Sequence, residues 1–274
     1  MRGTSSTSFA EVLRQAEAAF AGVAESSGSL ESEAQELFSV ADAIDSSNQL
    51  VRTLSDPGRP AEVKEATVRT LLSSRVSPQS LDKTLEVVRR RWSEQEDILD
   101  ALELLGVSAL LEQAQSEAVL EQVEGELFEV SRMIDDSGDL TAALDGAREN
   151  PSQRATMLSA LLNGRTHRLT AALAARAVGR RIELKPARRV EEFARFASDR
   201  RRRAFAAVSS AVPLNDAQQA RLGAVLSSIY GREVQMNLQV DPDVVGGLRI
   251  QVGDDLYDAT VLARLSRARS QLVA

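Results

Sequence analysis

Residues 234–265 read VQMNLQVDPDVVGGLRIQVGDDLYDATVLARL, two runs of alternating polarity followed by a helical pattern. The apolar residues of the two runs are Val234, Met236, Leu238 and Val240, then Leu248, Ile250 and Val252. Because successive side chains of a strand point to opposite faces, this period of two predicts half-buried antiparallel strands that form a β-hairpin. Gly246-Gly247 supplies the connecting turn, and Gly253-Asp254-Asp255 predicts a second one. A helix then follows, with its apolar stripe at Leu262, Leu265 and Leu272.

A further strand and helix are predicted just before these runs. The segment from Ala206 to Val212 is short, with small and β-branched residues, which is typical of a strand. Asn215 is a good N-cap for a following helix. The apolar face of that helix consists of Leu222, Val225, Leu226 and Ile229. Residues 204–274 are therefore predicted to form a small α/β module of strand, helix, hairpin and helix.

The rest of the chain contains a tandem duplication. Shifting the sequence by ninety residues aligns Glu36-Leu37-Phe38 with Glu126-Leu127-Phe128, and about half of the positions from 36 to 54 are identical. After a slip of two residues the match continues, with Leu81 on Leu169 and Leu85 on Leu173. Two copies are too few for a solenoid, so we interpret the pattern as the duplication of one compact bundle.

Each copy is predicted to contain five or six short amphipathic helices. In the first copy apolar residues recur at helical spacing, as in Leu37, Val40, Ala41 and Ile44. Gly, Pro and Ser mark the breaks at Ser26–Gly28, Asp56–Gly58, Ser77-Pro78, Asp136–Gly138 and Asn150-Pro151. The predicted fold is mainly α, with two tandem small helical bundles, residues 1–97 and 98–203, followed by the α/β module of residues 204–274. A long basic helix beginning at Ala187 connects the second bundle to the module.

The composition excludes most catalytic sites. The chain has no cysteine and one histidine, His167, so neither a nucleophile paired with a base nor a zinc site is expected. We interpret His167 as a surface or helix-capping residue, and Asp254, Asp255 and Asp258 as solvated turn residues rather than ligands of a cation. Gly246-Gly247 is not followed by Lys-Ser/Thr, so it does not predict a phosphate-binding loop. No cofactor, metal ion or nucleotide is expected.

Charge is distributed in two opposite blocks. Residues 101–150 carry a net charge of −10 and residues 151–203 a net charge of +10, within a chain whose total is −7. The blocks either pair with each other within the helical region or meet two different partners. The run from Arg200 to Arg203 leaves an alternative function open, a helical adaptor or regulatory protein that binds nucleic acid or an acidic partner. The acidic total and the few aromatic residues argue against nucleic acid.

The C-terminal segment resembles the signature of the delta subunit of bacterial F-type ATP synthases, whose mitochondrial counterpart is the oligomycin sensitivity-conferring protein. The matching positions are Val234, Met236, Val240, Asp241, Val244, Gly246, Gly247, Leu248, Ile250, Gly253, Asp254, Asp258 and Thr260. The first helical copy is similar to the N-terminal domain of that family. The additional copy is an enlargement associated with actinobacterial relatives.

This resemblance implies a non-catalytic stator subunit, present once in the complex, that joins the peripheral stalk to the catalytic head. It implies that the N-terminal segments of alpha subunits bind between the first and fifth helices of a bundle, near Phe9, Val12, Leu13, Ala16, Phe20, Leu81, Leu85 and Val88. The b-type stalk subunit is then expected to contact Leu262, Leu265 and Leu272.

The expected location is the cytoplasmic face of the plasma membrane, as a peripheral protein without direct membrane insertion and without nucleic acid. No membrane segment precedes residue 9, so b is expected to be a separate chain.

Overall fold

The computed structural model describes residues 1, 3–25, 30–147, 150–180, 184–203, 205–230, 234–241, 244, 246–252 and 255–258. Across these residues the fold is mainly α, as predicted, with twelve helices and one four-stranded sheet. The chain divides into two compact units, Met1–Ala194 and Arg195–Ala274. The finer division into residues 1–97, 98–203 and 204–274 stays a prediction.

Eleven described helices precede the first strand. They are α1 Thr4–Glu25, α2 Leu30–Asp45, α3 Asn48–Ser55, α4 Ala61–Leu72, α5 Pro78–Arg89, α6 Asp97–Ser116, α7 Leu120–Asp136, α8 Gly138–Gly146, α9 Pro151–Leu162, α10 Arg168–Val178 and α11 Pro186–Arg203. The remaining elements are β1 Phe205–Ser210, α12 Asp216–Tyr230, β2 Gln235–Val240, β3 Leu248–Val252 and β4 Asp255–Asp258. None of these helices, as far as they are described, is long and apolar enough to cross a membrane.

The helix breaks lie where the sequence predicts them, because short polar side chains cap the helices that follow. Ser47 and Ser137 each accept a hydrogen bond from a backbone N–H three residues later, at the start of α3 and of α8. Asn150 caps α9 in the same way, with Pro151 as the first helical residue. Proline suits that position, since its missing N–H has no partner within the first turn of a helix.

The two copies keep a register of ninety residues. The first residues of α2, α3, α4 and α5 precede those of α7, α8, α9 and α10 by ninety in every case. Ser77 caps α5 and His167 caps α10, and both sit at the same place in the repeat. The predicted two-residue slip between Leu81 and Leu169 is therefore wrong. Shared leucines suggested that slip, whereas the capping residues fix where each helix begins.

Helix α6 belongs to both copies. It packs against α1 and α2, and the backbone N–H of Leu30 on α2 donates to Gln113 on α6 at 3.0 Å. In the second copy the hydroxyl of Ser131 on α7 donates to the carbonyl of Ala187 on α11, also at 3.0 Å. Ala187 follows Asp97, the first residue of α6, by ninety residues. Thus α6 closes the first copy as α11 closes the second, and it also begins the second copy as α1 begins the first.

The strand order of the C-terminal sheet is β2-β1-β3-β4. Strand β1 lies between the two alternating runs, parallel to β2 and antiparallel to β3. The hairpin predicted between those runs is therefore wrong, and the antiparallel hairpin joins β3 to β4 instead. The segment Asp255–Asp258 is a strand, not the turn and helix start that the sequence predicted. Alternating polarity identifies the buried face of a strand but not its neighbour, and β1 takes the centre with Ala206 and Val208 fully buried.

Helix α12 covers one face of this sheet. Asn215 caps it as predicted, and Asn215 and Gln218 each donate a backbone N–H to the other's side chain at 2.9 Å. The core beneath it contains Ala206, Val208, Leu226, Val234, Ile250 and Val252. Of the positions named above from sequence, Gly253, Asp254, Thr260, Leu262, Leu265 and Leu272 lie outside the described residues.

Candidate functional site

A cleft of about 430 Å³ lies between α1 and α5 in the first copy. From α1 it is lined by Val12, Gln15, Ala16 and Ala19, and from α5 by Gln79, Asp82, Lys83, Leu85, Glu86 and Arg89. Its floor is apolar and well packed, since Val12, Ala16 and Leu85 are at most 4% exposed. Its rim is mainly polar, with Gln15, Gln79 and Asp82 exposed beside Ala19. An apolar floor with a polar rim suits the apolar face of an amphipathic helix.

The charged groups of the rim are held by partners on neighbouring helices. The ammonium group of Lys83 is 2.6 Å from Glu33 on α2 and lies 4.7 Å from the centre of the Phe20 ring. Arg89 donates to Glu65 on α4 at 2.6 Å, and this hydrogen bond lowers the pKa of the Glu65 carboxyl against the opposing effect of burial. These contacts hold the rim in place around an open floor.

The cleft contains some of the residues predicted from sequence and omits others. Val12, Ala16 and Leu85 line it, as the helix-groove interpretation expects. Leu13, Phe20, Leu81 and Val88 are buried without lining it, and Phe9 is half-buried. Gln15, Ala19, Gln79 and Asp82 also line the cleft but were not predicted, because hydrophobic periodicity selects the core face of a helix and not the border of a groove. The binding roles of all these residues stay predictions.

A buried ion cluster joins α6 to the end of the second copy. Glu103 on α6 is fully buried and accepts from Arg176 at 2.9 Å, from Arg180 at 3.1 Å and from Arg189. Arg180 also donates to Asp100 at 2.7 Å. Burial alone raises the pKa of the Glu103 carboxyl, but the charges of Arg189, Arg180 and Arg176 outweigh it and keep the pKa below its ordinary value. A single carboxylate thus accepts hydrogen bonds from three arginine side chains.

This cluster supports one of the two interpretations of the charge blocks. Glu103 belongs to the acidic block and its three arginine partners to the basic block, so the blocks pair within the helical region. Further along the basic helix, Arg200 is fully buried rather than presented on a solvated face. Arg188, Arg195 and Arg202 stay exposed on α11, so only part of the basic block is buried.

His167 has the capping role that the sequence predicted. Its Nδ1 accepts a hydrogen bond from the backbone N–H of Leu169 at 3.3 Å. Its own backbone N–H donates to Glu126 at 2.8 Å, and the hydroxyl of Thr170 donates to the same carboxylate oxygen at 2.5 Å. Among the described residues, no group of three His, Asp or Glu side chains is placed to hold a metal ion.

Comparison with known proteins identifies the family of this chain. The profile of the family described as ATP synthase delta (OSCP) subunit matches residues 107–272, which include most of the second copy and leave the first copy outside. A protein of Beutenbergia cavernae named ATP synthase subunit delta is 39% identical over 272 residues, 99% of this chain and 99% of that protein. Proteins of the same name from Streptomyces coelicolor and Thermobifida fusca are 37% and 35% identical, with at least 99% of each chain covered. These relatives match both helical copies and the α/β module, so this chain belongs to the ATP synthase delta (OSCP) subunit family.

Proposed function

We propose that this chain holds the N-terminal segment of an alpha subunit in the cleft between α1 and α5, as the non-catalytic stator subunit of an F-type ATP synthase. In this role it joins the catalytic head to the b-type subunit of the peripheral stalk. One copy serves each complex, and its association with the membrane is peripheral, through the complex. The joint keeps the head stationary against the torque of the rotor during proton-driven ATP synthesis.

The observation that carries this proposal is the open apolar floor of the cleft. Val12, Ala16 and Leu85 form this floor and are almost fully packed, so the apolar surface that stays accessible lies at its border, at the exposed Ala19. A partner helix that covers this floor removes apolar surface from water at both partners, which favours binding by about 25 cal/mol per Å² before the cost of association. No reactive group is needed for such a mechanical contact.

The proposed contact with b lies on the C-terminal module. Apolar side chains remain exposed on its described part, including Val240 at 54%, Val225 at 49% and Ile229 at 44%. Val225 and Ile229 lie one turn apart on α12, so they expose apolar area on the same side of that helix. Leu262, Leu265 and Leu272 remain part of this proposal from the sequence.

The test is calorimetric titration of the full chain with a peptide from the N-terminus of the alpha subunit of the same organism. We expect one-to-one binding that changes little with salt and has a negative heat-capacity change, since apolar surface is buried. Ala19→Arg places a charge on the border of the cleft and should abolish binding. Ala18→Arg, at the exposed neighbouring position outside the cleft, is the matched control and should bind normally.

Two results would contradict the proposal. Equal binding by Ala19→Arg and the parent chain would show that the peptide does not bind in this cleft. No binding by the folded parent chain, either to the peptide or to the assembled catalytic head, would reject the stator contact altogether.

A further inference from the structure

The duplication gives the chain two grooves of the same kind, and only the first exposes part of the wall formed by its first helix, although a cleft of about 890 Å³ remains between α2 and α10 in the second. Adding ninety to the α1 residues that line the first cleft gives Leu102, Leu105, Gly106 and Ala109 on α6. Leu102, Leu105 and Ala109 are fully buried, whereas Gln15 and Ala19 are exposed. The groove between α6 and α10 in the second copy is therefore covered at the place where the first copy is open.

The cover is α2 of the first copy. Its Phe38 lies on Gly106, where an added Cβ would stand 2.7 Å from the ring Cδ1 and closer still to Cε1. Leu30, eight residues before Phe38, is hydrogen-bonded to Gln113, seven residues after Gly106, so α2 runs antiparallel to α6. Gly106 is the counterpart of Ala16, and only a residue this small leaves room for an aromatic ring against the helix backbone.

The opposite wall of this groove also contacts α2. The Arg176 guanidinium on α10 lies 4.7 Å from the centre of the Phe38 ring. It donates to Asp42, one turn further along α2, at 2.9 Å. Arg176 is the counterpart of Glu86 in the first cleft, so the residue at this position is basic in one groove and acidic in the other, where it is paired with Arg89 and Arg90 of the same helix region.

We infer that α2 is a built-in occupant of the second copy's groove, and that it shows the pattern of the helix that the first groove takes. That partner helix is amphipathic, with apolar residues at the positions of Leu30, Ala34 and Phe38, four residues apart, and the last of them is smaller than phenylalanine because Ala16 stands where the second groove has Gly106. It carries a lysine or arginine where α2 has Asp42, because the first groove presents Glu86 there. The second half of this inference rests on the proposed function, and the first half does not.

The reversed charge allows the two similar grooves to discriminate between their helices. A copy of α2 from another chain would bring its Asp42 carboxylate to Glu86 in the first groove, and like charges in contact are unfavourable. A helix with a basic residue at that position would meet Arg176 in the second groove and be rejected there. Each groove therefore disfavours the other's occupant.

The first experiment needs no partner and uses the absence of cysteine from the chain. Two single-cysteine variants are made, Ala19→Cys and its counterpart Ala109→Cys, and the rate of reaction with a bulky thiol reagent is measured on folded full-length protein. We expect the Ala109→Cys variant to react on the order of 100-fold more slowly than the Ala19→Cys variant, since α2 must first move away. Adding Phe38→Ala should accelerate the reaction of Ala109→Cys about tenfold or more and leave that of Ala19→Cys unchanged.

Equal rates for the Ala109→Cys and Ala19→Cys variants would overturn the occupation of the second groove. So would a rate for Ala109→Cys that does not respond to Phe38→Ala in a chain whose helix content is intact. If Ala109→Cys does not fold, Leu105→Cys gives the same measurement, since it places a smaller side chain at a fully buried position whose counterpart in the first copy, Gln15, is exposed.

The second experiment adds the alpha-subunit peptide and compares the Ala19→Cys variant with Ala172→Cys, a substitution of an exposed residue on the α10 wall. At a concentration a hundredfold above its Kd, the peptide should slow labelling of Ala19→Cys about 100-fold and leave that of Ala172→Cys unchanged. Protection of Ala172→Cys instead would overturn the assignment of the partner to the first groove. Absence of any binding would reject the proposed function, while the contrast between Ala19→Cys and Ala109→Cys would still decide the role of α2.

Discussion

The carboxylate of Glu36 accepts two hydrogen bonds from Ser77, from the backbone N–H at 2.9 Å and from the hydroxyl at 2.6 Å. Ninety residues later Glu126 accepts from the backbone N–H of His167. Each glutamate thus ties the second helix of its copy to the start of the fifth. Burial raises the pKa of the Glu36 carboxyl, but hydrogen bonds from Ser77 and Ser80 outweigh it and lower that pKa below its ordinary value.

These glutamates should make the stability of the protein depend on pH. Because the pKa of Glu36 is lower in the folded state, its contribution is present above the ordinary glutamate pKa and is lost as the pH falls through the folded value. We expect Glu36→Gln to lower the free energy of unfolding by about 1–2 kcal/mol at pH 7 and by less at pH 4. Urea titrations at both pH values measure this. The exposed Glu129→Gln is the control, and a loss that does not depend on pH would contradict the argument.

Removing the centre of the buried ion cluster should be severe. Glu103→Ala leaves the guanidinium groups of Arg176, Arg180 and Arg189 buried around a missing carboxylate, and breaking such a pair costs about 3–5 kcal/mol. The exposed pair of Glu11 and Arg90 is the comparison, and Glu11→Ala should cost less than about 1 kcal/mol. Denaturant midpoints for the two variants decide the matter. Similar midpoints would mean that water reaches the cluster.

The close approach of α2 and α6 gives a pair of glycine substitutions with opposite expected signs. Gly106→Ala forces a methyl group into the Phe38 ring and should destabilise the protein by about 1–3 kcal/mol. Gly125→Ala, in the middle of α7 with nothing within 4 Å of the new methyl group, should stabilise it by up to about 1 kcal/mol. Thermal unfolding followed by circular dichroism measures both changes. A stable Gly106→Ala would show that α2 is not seated as described.

The histidine should be replaceable by the residue that the first copy uses. His167 accepts one backbone hydrogen bond at the start of α10, as Ser77 does at the start of α5. We therefore expect His167→Ser to change stability by less than about 0.5 kcal/mol, whereas His167→Ala loses the cap and about 1 kcal/mol. Equal effects of the two substitutions in urea unfolding would argue against a capping role.

Helix positions could be predicted from the sequence because their ends carry local signals. Ser47, Ser77, Ser137, Asn150 and Asn215 begin helices through contacts with residues two or three positions away, and such contacts need no knowledge of the rest of the fold. The ninety-residue repeat could be detected because about half of the positions from 36 to 54 have identical residues ninety positions later. The two-residue slip failed because leucines recur every three or four residues, so a shift of the alignment still finds matches.

Pairing between distant segments could not be predicted in this way. The alternating runs gave the buried face of β3, but Leu238 and Val240 on the predicted buried face of β2 are exposed, and the place of β1 between the runs depends on contacts between distant segments. Glu103 was also missed, although its position inside the run Leu102-Glu103-Leu104-Leu105 was a signal. A lone acid in an apolar stretch of helix has to find a cationic partner when the helix is buried.

The cleft could be predicted from the sequence only in part. Its floor followed from the resemblance and from apolar spacing, whereas its border residues became visible only when α1 and α5 were placed side by side. That α2 fills the second groove required knowing that the two copies pack together.

The sharing of α6 has a mechanical consequence. A helix of 20 residues is about 30 Å long, and this one completes the first bundle and opens the second without a break. There is then no flexible joint at which one bundle can swing against the other. A bending force applied to either bundle is carried along the axis of α6, so we expect the pair to deform as a single stiff rod and to lose its structure in one step.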